Sequence, residues 1–215
     1  MKKVELVQAM DHFKENWPGQ YDYFSWMEFV TVAPQPLFLI TTYKESDVPN
    51  ACFHSWGFWT GNKDGYICLF SLNTGGHTYQ NIKQNKAWCV NYPSLALQKQ
   101  CFDTIEIRDD ADDEITGAGF TVEPSTKIHA PRIAECFLNL ECEYLWEKDL
   151  YPNHVLIAGK AVNVAIDEKA GNMGVKERFE KFPLMYNVHE PLQIDSGKCQ
   201  DSMLGMLKLM AYNLS

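Results

Sequence analysis

Short apolar segments, rich in β-branched and aromatic residues and separated by clusters of Pro, Gly, Asn and Asp, run through most of the chain. Segments of this length and composition predict β-strands. They fall at residues 28–32, 37–43, 51–60, 66–71, 87–92, 134–146 and 155–166. Few long helical patterns lie between them, so the sequence predicts a mainly β protein built on a closed or partly closed antiparallel barrel.

Helical periodicity is confined to shorter stretches. Apolar residues recur every three or four positions between Val4 and Trp17, which predicts an amphipathic helix over residues 3–16 that ends at Pro18 and Gly19. Peripheral helices are also predicted at residues 78–85, 94–102 and 176–182. A methionine-rich stripe near the end of the chain has the same spacing and predicts packing against the rest of the protein: Met203, Met206, Leu207 and Met210.

The order of these elements predicts a single domain. Neither an internal repeat nor a low-complexity linker interrupts them. We therefore expect one domain over residues 1–215, with its core at about 30–166, an N-terminal helix and a C-terminal extension.

Composition and charge narrow the possible partners. Of the 215 residues, 46% are hydrophobic and 22% are charged, which is typical of a globular domain. The formal net charge is -9, and no run of Lys or Arg forms a basic stripe. A nucleic-acid backbone would be repelled by such a protein, so we expect no nucleic-acid partner.

The location of the protein is predicted from its apolar segments and its cysteines. Lys2 and Lys3 are not followed by an unbroken apolar segment, so the first residues do not resemble a signal peptide. Nothing later approaches the roughly 20 apolar residues that span a bilayer, so we expect a cytoplasmic protein with no membrane partner. The seven cysteines are odd in number and most lie in apolar stretches, which predicts free, buried thiols.

Several motifs that would indicate other chemistry are incomplete. Gly117-Ala118-Gly119 begins like a dinucleotide fingerprint but lacks the strand before it and the helix after it. The acidic run at residues 109–114 lacks the Gly and Glu of a calcium loop and is predicted to be a solvated loop. Cys52 with His54 is a lone pair, and there is no C-x-x-C, so no metal site is expected. No G-x-S-x-G marks a hydrolase nucleophile.

What remains is an ordered series of short motifs. In chain order they are PLFLITT at 36–42, NACFHSW at 50–56, SLNTGGHTYQNI at 71–82, VNYPS at 90–94, GFT at 119–121, and PRIAE at 131–135 leading into LEC at 140–142. Each motif is weak alone, but their order and spacing resemble the flavin-reductase-like family, the FMN-binding split barrels that include flavoredoxins. The resemblance covers residues 30–166 and implies a homodimer that binds FMN noncovalently.

The first candidate site segment is the strand that would approach the flavin ring. Its candidate residues are Cys52, His54, Ser55 and Trp56. The stretch ends in small and polar residues on an otherwise aromatic strand, so its backbone could come close to a flat ring. The alternative is an ordinary amphipathic strand with an inward-facing Trp. The neighbouring aromatic residues, Phe58 and Trp59, could stack near a ring or belong to the core.

The second candidate site segment is a Gly-Gly loop that opens onto the helix at 78–85. The amides at the start of such a helix attract an anion, so we assign phosphate binding to this loop. Its candidate residues are Asn73, Thr74, Gly75, His77 and Thr78. The alternative is that Thr78 simply caps the helix. Members of the family often carry Arg or Lys in this loop, whereas here Gly76 and His77 stand there and no Arg occurs between residues 61 and 82.

The function implied by the resemblance is transfer of hydride or electrons through bound FMN. NADH or NADPH would be the donor, and free flavin, a small redox protein, a metal ion or oxygen would be the acceptor. Because the isoalloxazine carries the chemistry, no side chain is assigned as catalytic. Two alternatives stay open: an FMN-binding electron carrier without a nicotinamide pocket, and a split barrel that binds haem or a protein partner.

Overall fold

The structure is a computed structural model that describes residues 2–106, 111–201 and 203–210. Its helices are α1 Gln20–Tyr23, α2 Trp26–Thr31, α3 His77–Asn85, α4 Gln98–Glu106, α5 Glu114–Gly117, α6 Glu168–Asn172 and α7 Val175–Lys181, with a short 3-10 turn at Leu95–Leu97. Its strands are β1 Gln35–Pro36, β2 Phe38–Tyr43, β3 Pro49–His54, β4 Gly57–Asn62, β5 Gly65–Asn73, β6 Ala87–Tyr92, β7 Val122–Pro124, β8 Pro131–Ile133, β9 Leu138–Tyr151, β10 His154–Ile166, β11 Tyr186–Asn187 and β12 Leu204–Gly205.

The chain divides into two compact units. Among the described residues, the smaller unit takes those up to Gln35 and those from Tyr186 to Gly205, and the larger takes those from Pro36 to Met185 and from Met206 to Met210. The prediction of a single domain over residues 1–215 stays a prediction. None of the described helices is long and apolar enough to cross a membrane.

The larger unit is built on a seven-stranded antiparallel sheet in the order β3-β2-β6-β9-β10-β5-β4. Phe38 of β2 and Phe70 of β5 lie far apart in this order, yet their ring centroids are only 6.4 Å apart. The sheet therefore curls around a shared core. Side chains of a strand alternate between its two faces, so one set from each strand points into this core. The fully buried apolar residues of the core include Phe38, Ile40, Phe70, Trp88, Val90 and Ile157.

Three helices of the larger unit lie against β3, the edge strand. Asn81 of α3 donates a 3.3 Å hydrogen bond to the amide oxygen of Asn50. Phe102 of α4 packs edge-on against Phe53, with ring centroids 5.3 Å apart. At the start of α5, the Glu114 carboxylate accepts a 2.9 Å hydrogen bond from the backbone amide of Ala51. These contacts cover an edge that would otherwise present unpaired backbone groups.

The smaller unit has a core of its own. Phe13, Phe29 and Leu192 are its buried apolar residues. Ser25 and Glu28 form a capping box at the start of α2, in which the Ser25 hydroxyl accepts from the Met27 amide and Glu28 accepts from the Ser25 amide. β11 and β12 pair antiparallel in this unit.

Most of the predicted strands and helices of the larger unit are present. The strand predicted at residues 87–92 coincides with β6, and those at 37–43, 66–71 and 155–166 match β2, β5 and β10 to within two residues at each end. The strand predicted at 134–146 is β9, which begins and ends later. The helices predicted at 78–85, 94–102 and 176–182 correspond to α3, the 3-10 turn with α4, and α7.

The segment predicted as one strand at residues 51–60 is instead two strands. β3 ends at His54 and β4 begins at Gly57. Between them Trp56 adopts a left-handed backbone conformation with φ of 55°. A Cβ on Gly57 would lie 2.7 Å from Cζ of Phe38, so the chain leaves this corner through a residue without a side chain.

Two predictions for the first 32 residues are wrong. Residues 3–16 form no helix, and Gly19 precedes a helix rather than ending one. Val4 and Val7 are exposed, so the apolar stripe finds little to pack against, and packing supplies most helical stability in proteins. Residues 28–32, predicted as a strand, lie in or next to α2, because the Ser25–Glu28 capping box outweighs their β propensity.

The methionine-rich stripe near the end of the chain is also not as predicted. Residues 206–210 are neither helix nor strand, and the apolar side chains of the stripe are exposed rather than packed: Met203, Met206, Leu207 and Met210. Helical spacing alone therefore did not produce a helix at this position.

Candidate functional site

A cleft of about 540 Å³ lies along β3 and lies within the size range of small-molecule sites. Four segments line it. β3 contributes residues 50–53, the loop before α3 and the first turn of α3 contribute residues 75–78, α4 contributes Thr104 and Ile105, and α5 contributes Glu114. The cleft therefore joins both candidate segments of the sequence, the strand and the Gly-Gly loop.

The strand wall of the cleft has two faces. Asn50 and Cys52 lie on the face toward α3, where the Asn50 amide nitrogen is 3.4 Å from the Thr78 hydroxyl. Ala51 and Phe53 lie on the opposite face, toward α4 and α5. Burial raises the pKa of the Cys52 thiol to about 11, so the thiol stays neutral and is not poised as a nucleophile.

The loop before α3 is held by its own hydrogen bonds. The Asn73 carboxamide oxygen accepts from the Gly75 amide at 2.8 Å, and the Asn73 carbonyl accepts from the Gly76 amide at 3.3 Å. The Thr74 amide donates to the Asn153 carbonyl at 2.9 Å. Asn73 and Thr74 thus shape the turn, while Gly75 lies in the wall of the cleft.

α3 begins without a side-chain cap. Gly76 is the N-cap residue and makes no side-chain hydrogen bond, so the alternative that Thr78 caps the helix is not what the structure shows. The first hydrogen bond within the helix runs from the Gln80 amide to the Gly76 carbonyl at 3.3 Å. The amides of the first turn, at His77 and Thr78, precede that bond and lie where an anion is favoured.

Lys44, which is not among the predicted site residues, lies beside the loop before α3. A second cavity, of about 650 Å³, shares Gly75 and His77 with the cleft and is also lined by Lys44, Glu45, Ser46, Gln80, Asn81 and Gln84. The Lys44 ammonium donates to the Asp112 carbonyl at 2.9 Å and lies 3.4 Å from the Glu114 carboxylate. Both side chains of this ion pair are 6% exposed.

The prediction that residues 109–114 form a solvated loop is wrong for Glu114. Its carboxylate is buried, and burial raises its pKa, although the Ala51 amide and the Lys44 ammonium favour the charged form. Asp113 caps α5 by accepting from the Ile115 and Thr116 amides, each at 3.0 Å. Residues 109 and 110, which begin the same run, lie outside the described residues.

The other three candidate residues of the strand lie away from both cavities. His54 donates from Nε2 to the Ser71 carbonyl at 2.8 Å, and burial lowers its pKa to about 4. The Ser55 hydroxyl donates to the Pro36 carbonyl at 3.4 Å. The Trp56 ring lies 6.0 Å from the His54 ring. The structure thus brings together Cys52, Gly75, His77 and Thr78, and places His54, Ser55 and Trp56 around the corner between β3 and β4.

The side chains of the described residues do not suggest metal binding or thiol catalysis. Within residues 2–106, 111–201 and 203–210, no group of three or more His, Cys, Asp or Glu side chains is placed to hold a metal ion. All seven cysteines are free, and five of them are buried. The arrangement instead suits a ligand with a flat, partly polar ring beside β3 and an anionic group at the start of α3.

Comparison with known proteins agrees with this fold. Residues 31–191 match the family model described as flavin reductase like domain. Nitrilotriacetate monooxygenase component B from Bacillus cereus superposes with a TM-score of 0.74 at 13% identity, covering 98% of this chain and 100% of that one. Flavoredoxin of Desulfovibrio vulgaris (Miyazaki F) has a TM-score of 0.67 at 18% identity, covering 84% and 90%.

A third solved structure confirms the predicted architecture. A protein with a split barrel domain from Shewanella frigidimarina NCIMB 400 has a TM-score of 0.71 at 15% identity, covering 94% of this chain and 99% of that one. Identities this low show the fold alone. The fold is a mainly β, antiparallel split barrel with short peripheral helices, as predicted.

Proposed function

The chain belongs to the flavin reductase-like domain family, and from this premise we propose that it binds FMN noncovalently and passes electrons through it from NADH or NADPH to a further acceptor. The observation that carries the proposal is the cleft that joins the edge of β3 to the first turn of α3. It pairs a strand edge with an anion-favouring helix start, the two features that a flavin mononucleotide needs.

The residues of the cleft fit such a ligand in size and polarity. Residues 50–53 of β3 form one wall for the ring, and Phe53 and Ile105 add apolar surface. The phosphate would lie at the α3 amides of His77 and Thr78, where Gly75 and Gly76 leave the backbone uncovered by side chains.

The chain's own residues bind and orient the cofactor in this proposal. Bound FMN supplies the hydride and electron chemistry. Phe53 and Ile105 exclude water from the ring side, and the hydrogen bonds of Asn73 hold the loop in place. No residue is assigned as catalytic, because the Cys52 thiol is neutral and His54 lies outside the cleft.

We also propose a homodimer, as the family resemblance implies. Several large apolar side chains of the larger unit lie exposed on the long β9–β10 hairpin and on β4 and β5, a feature typical of an interaction surface: Phe58, Tyr66, Leu145, Trp146, Leu150 and Tyr151. Within this surface, Tyr66 stacks on Trp59, with ring centroids 4.6 Å apart. Light scattering should give twice the 24.7 kDa chain mass. A mass of one chain with FMN bound would contradict the dimer.

The test of the cofactor is a titration with FMN. We expect quenching of FMN fluorescence at micromolar protein and a flavin absorption spectrum after gel filtration. A protein that quenches no FMN fluorescence contradicts the proposal, and a haem spectrum from the purified protein would favour the alternative of a haem-binding barrel.

The test of electron transfer is an anaerobic incubation of the FMN-loaded protein with NADH and with NADPH. We expect the flavin absorbance near its long-wavelength maximum to bleach with one or both donors. Flavin that stays oxidised with both donors would favour the electron carrier, whose reductant is another protein.

A further inference from the structure

We propose that Lys44 supplies the positive charge for the FMN phosphate and that Glu114 sets the strength of this charge, so that the ion pair determines the preference for FMN over riboflavin. The inference rests on the proposed function, because it concerns the same cleft. It also explains how the phosphate is held by a loop that carries neither Arg nor Lys between Asn73 and Thr78.

The Lys44–Glu114 ion pair joins the walls of the two cavities. Glu114 lines the cleft along β3, and Lys44 lines the cavity on the other side of the loop. Gly75 and His77 belong to both walls. Lys44 carries the one Lys or Arg charge among the described residues that line these cavities.

The Lys44 ammonium is held in place by neighbouring groups. Lys44 lies in the turn between β2 and β3, where its amide donates to the Val48 carbonyl at 2.9 Å. Its ammonium is fixed by the Asp112 carbonyl and the Glu114 carboxylate, at 2.9 Å and 3.4 Å. A charge that is 6% exposed is screened less by water than a surface lysine, so its field at the loop is stronger.

The two charges of the ion pair act on a phosphate with opposite sign. A phosphate monoester carries roughly -1.5 to -2 at neutral pH. Lys44 attracts it, whereas the Glu114 carboxylate, fixed by the Ala51 amide at 2.9 Å, partly cancels that attraction. The exposed Glu45 adds a weaker, solvent-screened repulsion, and His77 lies in the shared wall. Removing the charge of Lys44 and removing that of Glu114 should therefore have opposite effects on FMN.

The experiment compares FMN with riboflavin, which has the same ring and no phosphate. Dissociation constants for both are measured by fluorescence quenching with the full chain. In Lys44→Gln/Glu114→Gln, which avoids leaving one buried charge alone, FMN should bind about tenfold or more weakly and riboflavin within about twofold of wild type. In Glu114→Gln alone, FMN should bind several-fold more tightly, with riboflavin unchanged. Gln at 114 keeps an oxygen for the Ala51 amide.

A matched control tests whether any lost lysine has this effect. Lys63 lies exposed in the turn between β4 and β5, so Lys63→Gln makes the same change of charge away from the site. It should leave both dissociation constants within about twofold. Lys44→Arg keeps the charge and should keep the preference for FMN.

The outcomes separate this inference from the proposed function. Equal losses for FMN and riboflavin in the double variant, or an unchanged ratio of the two in Glu114→Gln, would overturn the role of the pair while leaving flavin binding in place. If the double variant does not fold, the ratio in Glu114→Gln decides alone. A wild-type protein that binds neither flavin would overturn the proposed function, and the inference with it.

Discussion

The carboxylate of Glu114 accepts a 2.9 Å hydrogen bond from the backbone amide of Ala51, across 63 residues of sequence. This bond joins the start of α5 to the edge of β3 at the wall of the cleft. The other carboxylate oxygen lies 3.4 Å from the Lys44 ammonium. One buried side chain therefore connects the strand edge, the β2–β3 turn and the two cavities.

Removing this side chain should be costly. In Glu114→Ala, the Ala51 amide loses its acceptor and the buried Lys44 ammonium loses its carboxylate. Breaking a buried ion pair from one side costs about 3–5 kcal/mol. We expect a loss of that size in the free energy of unfolding, measured by urea titration at neutral pH.

The control for this loss is an exposed carboxylate. Glu177 pairs with Lys181 at 3.1 Å on the surface of α7, and both side chains are more than half exposed. Glu177→Ala should change the free energy of unfolding by less than about 0.5 kcal/mol. A loss as small as this in Glu114→Ala would mean that the buried pair does little for stability.

Thr78 should affect stability more than the choice of ligand. Its hydroxyl is buried and lies 3.4 Å from the Asn50 amide nitrogen, and a hydrogen bond to it lowers the pKa of the Cys52 thiol against the effect of burial. The hydroxyl therefore faces β3. Thr78→Val should cost about 1 kcal/mol of stability and leave the ratio of the FMN and riboflavin dissociation constants unchanged.

The matched variant is Thr78→Ser, which keeps the hydroxyl and should recover most of the lost stability. The same fluorescence titration with both flavins measures the ratio. A loss of about tenfold for FMN alone in Thr78→Val would show that the hydroxyl binds the phosphate directly, as the sequence analysis assigned it.

The strands of the barrel could be predicted from local sequence because each one carries its own signal. β6 is an apolar, aromatic run from Ala87 to Tyr92 between polar segments, and the prediction gave both of its ends. α3 follows a Gly-Gly pair that marks its start. In these elements the burial pattern and the boundary residues point to the same structure.

The helix predicted at residues 3–16 does not form, because helical periodicity does not by itself provide a surface for the helix to pack against. The stripe from Val4 to Trp17 has helical spacing, yet its valines are exposed, and Phe13 is the one residue of the stripe that is buried. Ser25 followed by Glu28 is the sequence pattern of a capping box and indicates the start of α2, whereas the β propensity of residues 28–32 indicates a strand.

Two segments of the candidate site could be predicted from the sequence, but the Lys44–Glu114 ion pair could not. Motif order located the strand at Cys52 and the loop at Gly75, which do meet in the cleft. Lys44 and Glu114 lie about 70 residues apart in sequence, and only the pairing of β2 with β3 and the placement of α5 bring them together. No spacing rule connects such residues, because their contact depends on the order of elements around the sheet.

Gly159 should tolerate no side chain. A Cβ at this position would overlap the six-membered ring of the fully buried Trp88 and come within 3.0 Å of the Glu143 carbonyl. Overpacking a core in this way typically costs 1–3 kcal/mol, and here the obstacle is a rigid ring with backbone behind it. We expect Gly159→Ala to lose about 3 kcal/mol or more in urea unfolding.

Gly174 is the matched control for Gly159. It caps α7 in an extended conformation, and a Cβ there would meet nothing within 4 Å. Gly174→Ala should change the free energy of unfolding by about 1 kcal/mol at most. If the two alanine variants were equally stable, β10 would not pack against Trp88 as closely as the structure shows.

His54 should make the protein lose stability as the solution becomes acidic. Burial lowers the pKa of its ring from 6.5 to about 4, so between these values the unfolded chain takes up a proton that the folded protein does not. The stability present above pH 6.5 is therefore lost as pH falls through this window, by as much as about 3 kcal/mol.

His54→Gln keeps a donor for the Ser71 carbonyl but has no titrating ring, so its free energy of unfolding should fall less between pH 7 and about pH 4.5. His129→Gln, at an exposed side chain, is the control for replacing a histidine elsewhere on the surface. Parallel profiles for His54→Gln and wild type would show that His54 is not held neutral by the fold.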